Sequence, residues 1–299
     1  VSRVELPLVV GVDGSEAALR ATDWAADAAA RWGVPLRVVH ADLWERYEGS
    51  LPAEHADGDT EDEDARAEAV RAEDVVDAAA RRARLRRPGL KVGVGVLPEE
   101  PEYALVHEGN TAAAVVVGSR GRGGVAELLL GSVSLTVAAH ARCPVIVVRG
   151  GRHPVDAGQH GRIVVAVGED SAETPAVRFA YDEARRRGVP LEAVRVWRCP
   201  AHETTDHPLL AGEPARLHEK RAAEELDAAL AGAPADLVVH RRTVEGPPRQ
   251  ELVALSREAD LLVVGARRRD APFGLQLGRV AHALLHHAAC PVAVVPQRV

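Results

Sequence analysis

A chain of 299 residues that is 46% hydrophobic can hold two domains with cores of their own, and with 3% aromatic residues those cores must be built of Ala, Val and Leu. No apolar run approaches the ~18 residues that cross a bilayer and no basic-then-apolar leader opens the chain, so a soluble, cytoplasmic protein without a membrane partner is expected. A net charge of −7 withholds the counterion-release term of non-specific nucleic-acid binding, and the three cysteines (Cys143, Cys199, Cys290) form no CxxC pair and give no disulfide framework.

Along the chain, the apolar runs at 8–12, 36–40, 92–96, 114–118 and 145–148 are short, continuous and rich in β-branched residues. That is the pattern of strands covered on both faces in a parallel sheet. Ala-, Arg- and Glu-rich stretches between them read as helices, and Gly33 and Gly188 stand where a helix C-cap glycine belongs. The acidic run over 54–68 reads as solvated loop and helix start, where carboxylates suit the helix dipole.

From Leu8, "LVVGVDGSEAALRATDWAADAAARWGVPLRVVH" is answered from Ile163 by "IVVAVGEDSAETPAVRFAYDEARRRGVPLEAVRV". Further on, "VVVGSR" at Val115 is answered by "LVVGAR" at Leu262, and "ARCPVIVV" at Ala141 by "AACPVAVV" at Ala288. The chain is therefore a tandem duplication, with domains at 1–150 and 160–299 joined through "RGGRHPVDAGQHG". Alternating strands and helices imply an α/β fold in which each domain is a doubly wound, five-stranded parallel sheet. In such sheets ligands bind beyond the carboxyl ends of the strands.

Directly beyond the 114–118 run lies "GSRGRGGVAELLLGS". Gly118 and Gly121 are three apart, and nine residues separate Gly121 from Gly131 and Ser132. Glycines let a backbone approach phosphate oxygens and adopt positive φ. Ser132 would stand at a helix N-terminus, whose free amides receive anions; Ser132 and Ser134 add hydroxyls, and Arg120 and Arg122 add cations. On these residues alone two readings stand, a phosphate cradle and a flexible loop with a helix cap. Asp13 is likewise either a ligand contact or an ordinary turn and N-cap residue, and the two arginines are either phosphate contacts or solvated surface.

The pattern Gly-x2-Gly-x9-Gly-Ser after "VVVGS", the opening "GVDGSEAA" and the closing "HARCPVIVVR" together resemble the ATP-binding members of the universal stress protein family. The resemblance spans nearly the whole chain twice. It implies Rossmann-like domains packed as an intramolecular pseudo-dimer, with closing strands paired across a two-fold and further homodimerisation open. It also implies ATP, with Mg2+, held in the first domain. Asp13 would contact adenosine, and the backbone of Ala41, after the second strand, the adenine. Gly11 and Val12 would form the floor beside Asp13. Gly118, Gly121, Gly131, Ser132 and Ser134 would hold ribose and phosphates, with Ser119, Arg120, Arg122 and Val133 completing the set. The function implied is a nucleotide-binding regulatory or stress-response protein; a slow ATPase and a nucleotide-free scaffold for protein partners are the alternatives.

In the second copy Gly265 and Gly278 survive, but Arg268 and Arg279 replace a glycine and the serine, and Gly168 takes the Asp13 position unless Asp170 substitutes by a local shift. An impaired site is expected there, set against a second possibility in which Arg267, Arg268, Arg269 and Arg279 bind phosphate through side chains. His282, His286 and His287 have metal-ligand spacing on one helix but read as surface, and Cys143 and Cys290 as small apolar residues before the last strands.

Overall fold

The computed structural model describes residues 6–42, 58–121, 130–149, 160–168, 174–200, 213–267 and 277–297, with backbone only for 58–69 and Arg267. The chain divides into two compact units, Val1–Val155 and Asp156–Val299. In chain order the first unit holds β1 (Leu8–Gly11), α1 (Glu16–Trp32), β2 (Leu36–Ala41), α2 (Gly58–Arg86), β3 (Val92–Leu97), α3 (Pro101–Glu108), β4 (Ala114–Gly118), α4 (Ser132–His140) and β5 (Val145–Val148). The second holds β6 (Ile163–Ala166), α5 (Pro175–Arg187), β7 (Leu191–Trp197), α6 (Glu213–Ala229), β8 (Val239–Glu245), α7 (Pro248–Leu255), β9 (Leu261–Arg267), α8 (Arg279–His287) and β10 (Val292–Gln297).

The first unit's strands lie in the order β3-β2-β1-β4-β5, all parallel. The second repeats it as β8-β7-β6-β9-β10, also all parallel. The doubly wound α/β architecture expected from the sequence is thus present twice. In the first unit the direction of winding reverses between β1 and β4, which are neighbours in the sheet although far apart in the chain. That reversal opens a crevice at the carboxyl ends of the two strands. Leu8, Val9, Val10, Val115 and Val116 are wholly buried, so the central strands lack the alternation of a one-sided sheet.

Helix α1 packs on α2, and α3 on α4. The buried stripe of α1 is nearly all alanine, with Trp24 as its one large residue. Small side chains let this helix lie close to the sheet, and the site depends on that closeness. Asp23 and Asp27 on α1 receive Arg82, Arg86 and Arg87 from α2 and its exit, at 2.6–2.8 Å. Burial alone would push the Asp27 carboxyl up, but the hydrogen bonds and charges of Arg86 and Arg87 hold it below its ordinary value.

Gly33 and Gly188 close α1 and α5 in the left-handed region, at φ 71° and 65°, as helix C-cap glycines should. Two details differ from the sequence reading. Strand β2 runs one residue further, so Ala41 is its last residue and does not lie beyond it. Val12 lies just past β1, although its N–H still donates to the Val39 carbonyl at 2.9 Å. Of the acidic run, 58–68 is helical in α2, and its side chains lie outside the described residues.

Candidate functional site

The exits of β1 and β4 meet closely, and at Gly118 the approach leaves no room for a side chain. A Cβ on Gly118 would stand 2.7 Å from the Ala17 carbonyl carbon and 2.8 Å from its oxygen, in the first turn of α1. One on Gly121 would stand 2.7 Å from Asp13 Oδ2. The Gly131 N–H donates to the Ser119 carbonyl at 3.0 Å, closing the long loop onto its own start. A Cβ there would lie 3.7 Å from Arg120 Cα and 3.9 Å from the Gly121 nitrogen, filling the space between the loop's two ends. None of these three glycines has positive φ. The expectation that they supply left-handed backbone is therefore corrected: at Gly118 and Gly121 an added Cβ would meet a neighbouring segment, whereas at Gly131 it would make only ordinary contacts.

Asp13 holds this junction from the other side. Its Oδ1 accepts the Ser15 N–H at 3.0 Å, while Oδ2 faces Gly121. Ser15, and not Asp13, is the N-cap of α1: its Oγ accepts the Ala18 N–H at 3.2 Å and donates to the Arg120 carbonyl at 3.4 Å. The turn reading of Asp13 is thus met by Oδ1, while Oδ2 lies at the loop's entry. Gly11 makes room for Leu105 of α3, whose Cδ1 would lie 2.7 Å from an added Cβ. The Val12 carbonyl accepts from Nδ1 of His40, a buried residue of β2, at 2.7 Å. Because the Val39 carbonyl faces β1, strand alternation turns the backbone groups of Ala41 the same way, past the end of β1 and over the crevice.

The remaining candidates divide into framework and open groups. Ser119 is buried, its N–H given to the Val148 carbonyl at 2.9 Å. Ser134 is also buried, and its Oγ donates to the Gly118 carbonyl at 2.6 Å, so it ties α4 to β4. Ser132 is exposed at the first residue of α4, and Val133 is half-buried beside it. The N-cap of α4 is Gly131, which has no side chain to occupy the helix's first amides. Arg120 is half-buried at the loop's entry, and Arg122 lies outside the described residues.

Three neighbours of the site had no signal in local spacing. His40 buttresses Val12 from the adjacent strand. Glu102, in the first turn of α3, accepts the Ser132 hydroxyl at 3.1 Å. Arg149 follows β5, and the register that pairs Gly118 with Val148 sets it beside Ser119. Burial, and then the charge of Arg120, lower the pKa of Arg149. Two guanidinium groups that repel each other favour an anion between them.

The equivalent place in the second unit is built differently. Helix α5 has 13 residues against 17 in α1, although both end on matching glycines. Its N-cap is Thr174, followed by Pro175, so the helix begins one turn later. At Gly265 the atoms nearest to an added Cβ belong to the Gln297 side chain from β10. Gly168 faces open space, and Arg279, the first residue of α8, is exposed. Asp170, Arg268 and Arg269 lie outside the described residues.

Other candidates carry less chemistry. The His282 and His286 rings lie 4.5 Å apart, and the described residues contain no group of three potential metal ligands. Cys143 and Cys290 are buried, and burial pushes the Cys290 thiol up to about 12, so it is protonated and unreactive at neutral pH. No described helix is long and apolar enough to cross a membrane.

The sequence model of the universal stress protein family matches residues 7–149 and again 160–296. A universal stress protein of Mycobacterium tuberculosis is 34% identical over 298 residues, covering 97% of each chain. The crystal structure of a universal stress protein from Archaeoglobus fulgidus superposes with a TM-score of 0.67 at 19% identity, covering 98% of this chain and 99% of its own. Another from the same organism, solved in complex with dAMP, aligns with 48% of this chain at 26% identity and a TM-score of 0.34. The chain belongs to the universal stress protein family, as two family domains in tandem.

Proposed function

We propose that the first unit binds an adenine nucleotide, ATP with Mg2+, in a backbone cradle beyond β1 and β4, and that the protein acts as a nucleotide-responsive regulator. The observation carrying this reading is the convergence at one point of Gly118 on Ala17, Gly121 on Asp13, and Gly131 on Ser119. That junction lies where the sheet reverses its winding, and it leaves the amides at the start of α4 without a side-chain cap. A phosphate there would accept the Ser132 and Val133 N–H groups and the Ser132 hydroxyl, with Arg120 and Arg149 neutralising its charge.

Asp13 Oδ2, already turned to the loop, would accept a ribose hydroxyl, and the Ala41 backbone would meet the adenine edge. The bound cation would supply charge neutralisation of the phosphates; every other contact comes from this chain. Occupancy would engage Gly131 and the start of α4 and change the surface there for a protein partner, provided the nucleotide binds one conformation better than another.

Calorimetric titration of nucleotide-stripped protein with ATP and Mg2+ tests this. Saturable binding that Gly121→Ala weakens without loss of folding supports the reading. Absence of binding by both calorimetry and equilibrium dialysis contradicts it and leaves the scaffold alternative.

A further inference from the structure

Glu102 stands where the phosphates would meet α4. It is the second residue of α3, and its Oε1 accepts the hydroxyl of Ser132, the first residue of α4. The end of α4 that favours an anion therefore has a carboxylate against it before any nucleotide arrives. Among the described residues no Lys or Arg pairs with Glu102; the arginines of the cradle, Arg120 and Arg149, belong to the exits of β4 and β5. Among the described residues the site thus carries cations on one side of the phosphate position and a carboxylate without a basic partner on the other.

This asymmetry treats two forms of one nucleotide differently. A bare triphosphate brings negative charge against Glu102 and must displace it from Ser132. A triphosphate carrying a divalent cation brings a hard cation to the same carboxylate, which either ligates it or attracts it through water. We infer that Glu102 makes the site select the divalent-cation complex of the nucleotide over the free nucleotide. The inference rests on the nucleotide reading of this site. The Glu102 contact is partly open to solvent, so the discrimination is moderate, about five- to tenfold in the ratio of dissociation constants.

The test is the ratio of the ATP dissociation constant in EDTA to that in excess Mg2+, for the wild-type chain, Glu102→Gln and Glu99→Gln. The first substitution removes the charge and keeps an acceptor for Ser132; the second removes the same charge from an exposed residue before α3. The ratio is expected to fall about five- to tenfold in Glu102→Gln and to stay at the wild-type value in Glu99→Gln. An unchanged ratio in Glu102→Gln, or an equal fall in both variants, overturns the inference while leaving nucleotide binding intact. A wild-type chain that binds ATP in neither buffer overturns the nucleotide reading and this inference with it.

Discussion

At the exit of β4 a glycine lies against the backbone of α1, whereas at the exit of β9 the matching glycine lies under the movable end of Gln297. Both strands are flanked by parallel neighbours, but β4 is buried to its last residue while Gly265 at the β9 exit is only half-buried. The helices that follow the first strand of each unit differ as well. Helix α1 starts at Glu16 behind the Ser15 cap, and its first turn reaches the β4 exit; α5 starts one turn later, at Pro175 behind the Thr174 cap. A duplicated fold can thus keep its core while the junction at one strand exit changes.

The largest expected effect breaks the first junction. Gly118→Ala forces a Cβ against fixed backbone and should cost about 2–3 kcal/mol in denaturant unfolding. Gly265→Ala should cost under about 1 kcal/mol, since Gln297 can swing aside. Equal costs would remove the distinction drawn between the two exits.

Next comes the α1–α2 clasp that keeps α1 in place. Asp27→Asn should cost about 2 kcal/mol at neutral pH, the loss of hydrogen bonds between charged groups. Because the folded pKa of Asp27 is depressed, its contribution is complete above the unfolded carboxylate value of about 4. It is lost as pH falls through the lower folded value, so the wild-type and variant stability curves should converge in acid. A gap that persists once the folded carboxylate is protonated in acid would show that the effect is not the ion pair.

Smaller still is Gly121→Ala, whose Cβ displaces the Asp13 carboxylate rather than backbone. ATP affinity should fall about tenfold, one hydrogen bond's worth, while the unfolding midpoint barely moves. The smallest effect expected is none. Giving the second unit the missing residues, Arg268→Gly with Arg279→Ser, should create no new ATP site, because the first turn that α5 lacks is not restored. A second site in that variant would place the difference in the two side chains alone.

Much of this was readable in the residues. Continuous β-branched runs such as "AVVVG" and the repeated "GVPL" fixed the strands, the helix ends and the duplication, since buried parallel strands leave a strong local pattern. The candidate residues Asp13, Gly118, Gly121 and Gly131 converge in space. Their reason did not follow from spacing: closeness to Ala17 and Asp13 depends on how an alanine-rich helix packs, not on the loop itself. Ser134 is only two residues from Ser132 in α4, so it points elsewhere: its hydroxyl reaches the Gly118 carbonyl and serves the framework. His40, Glu102 and Arg149 reach the site from other strands and helices, a relation that only the sheet order reveals. The late start of α5 did leave a trace in "ETPAV", a Thr cap with Pro at the first helical position.

The central claim is one nucleotide site per chain, in the first unit. The most direct measurement is the stoichiometry of ATP binding in the presence of Mg2+ to the intact, nucleotide-stripped chain. The account predicts a value near one, with Gly121→Ala weakening that single site. A value near two would contradict it, by showing that the second unit binds nucleotide without the junction between α1 and β4.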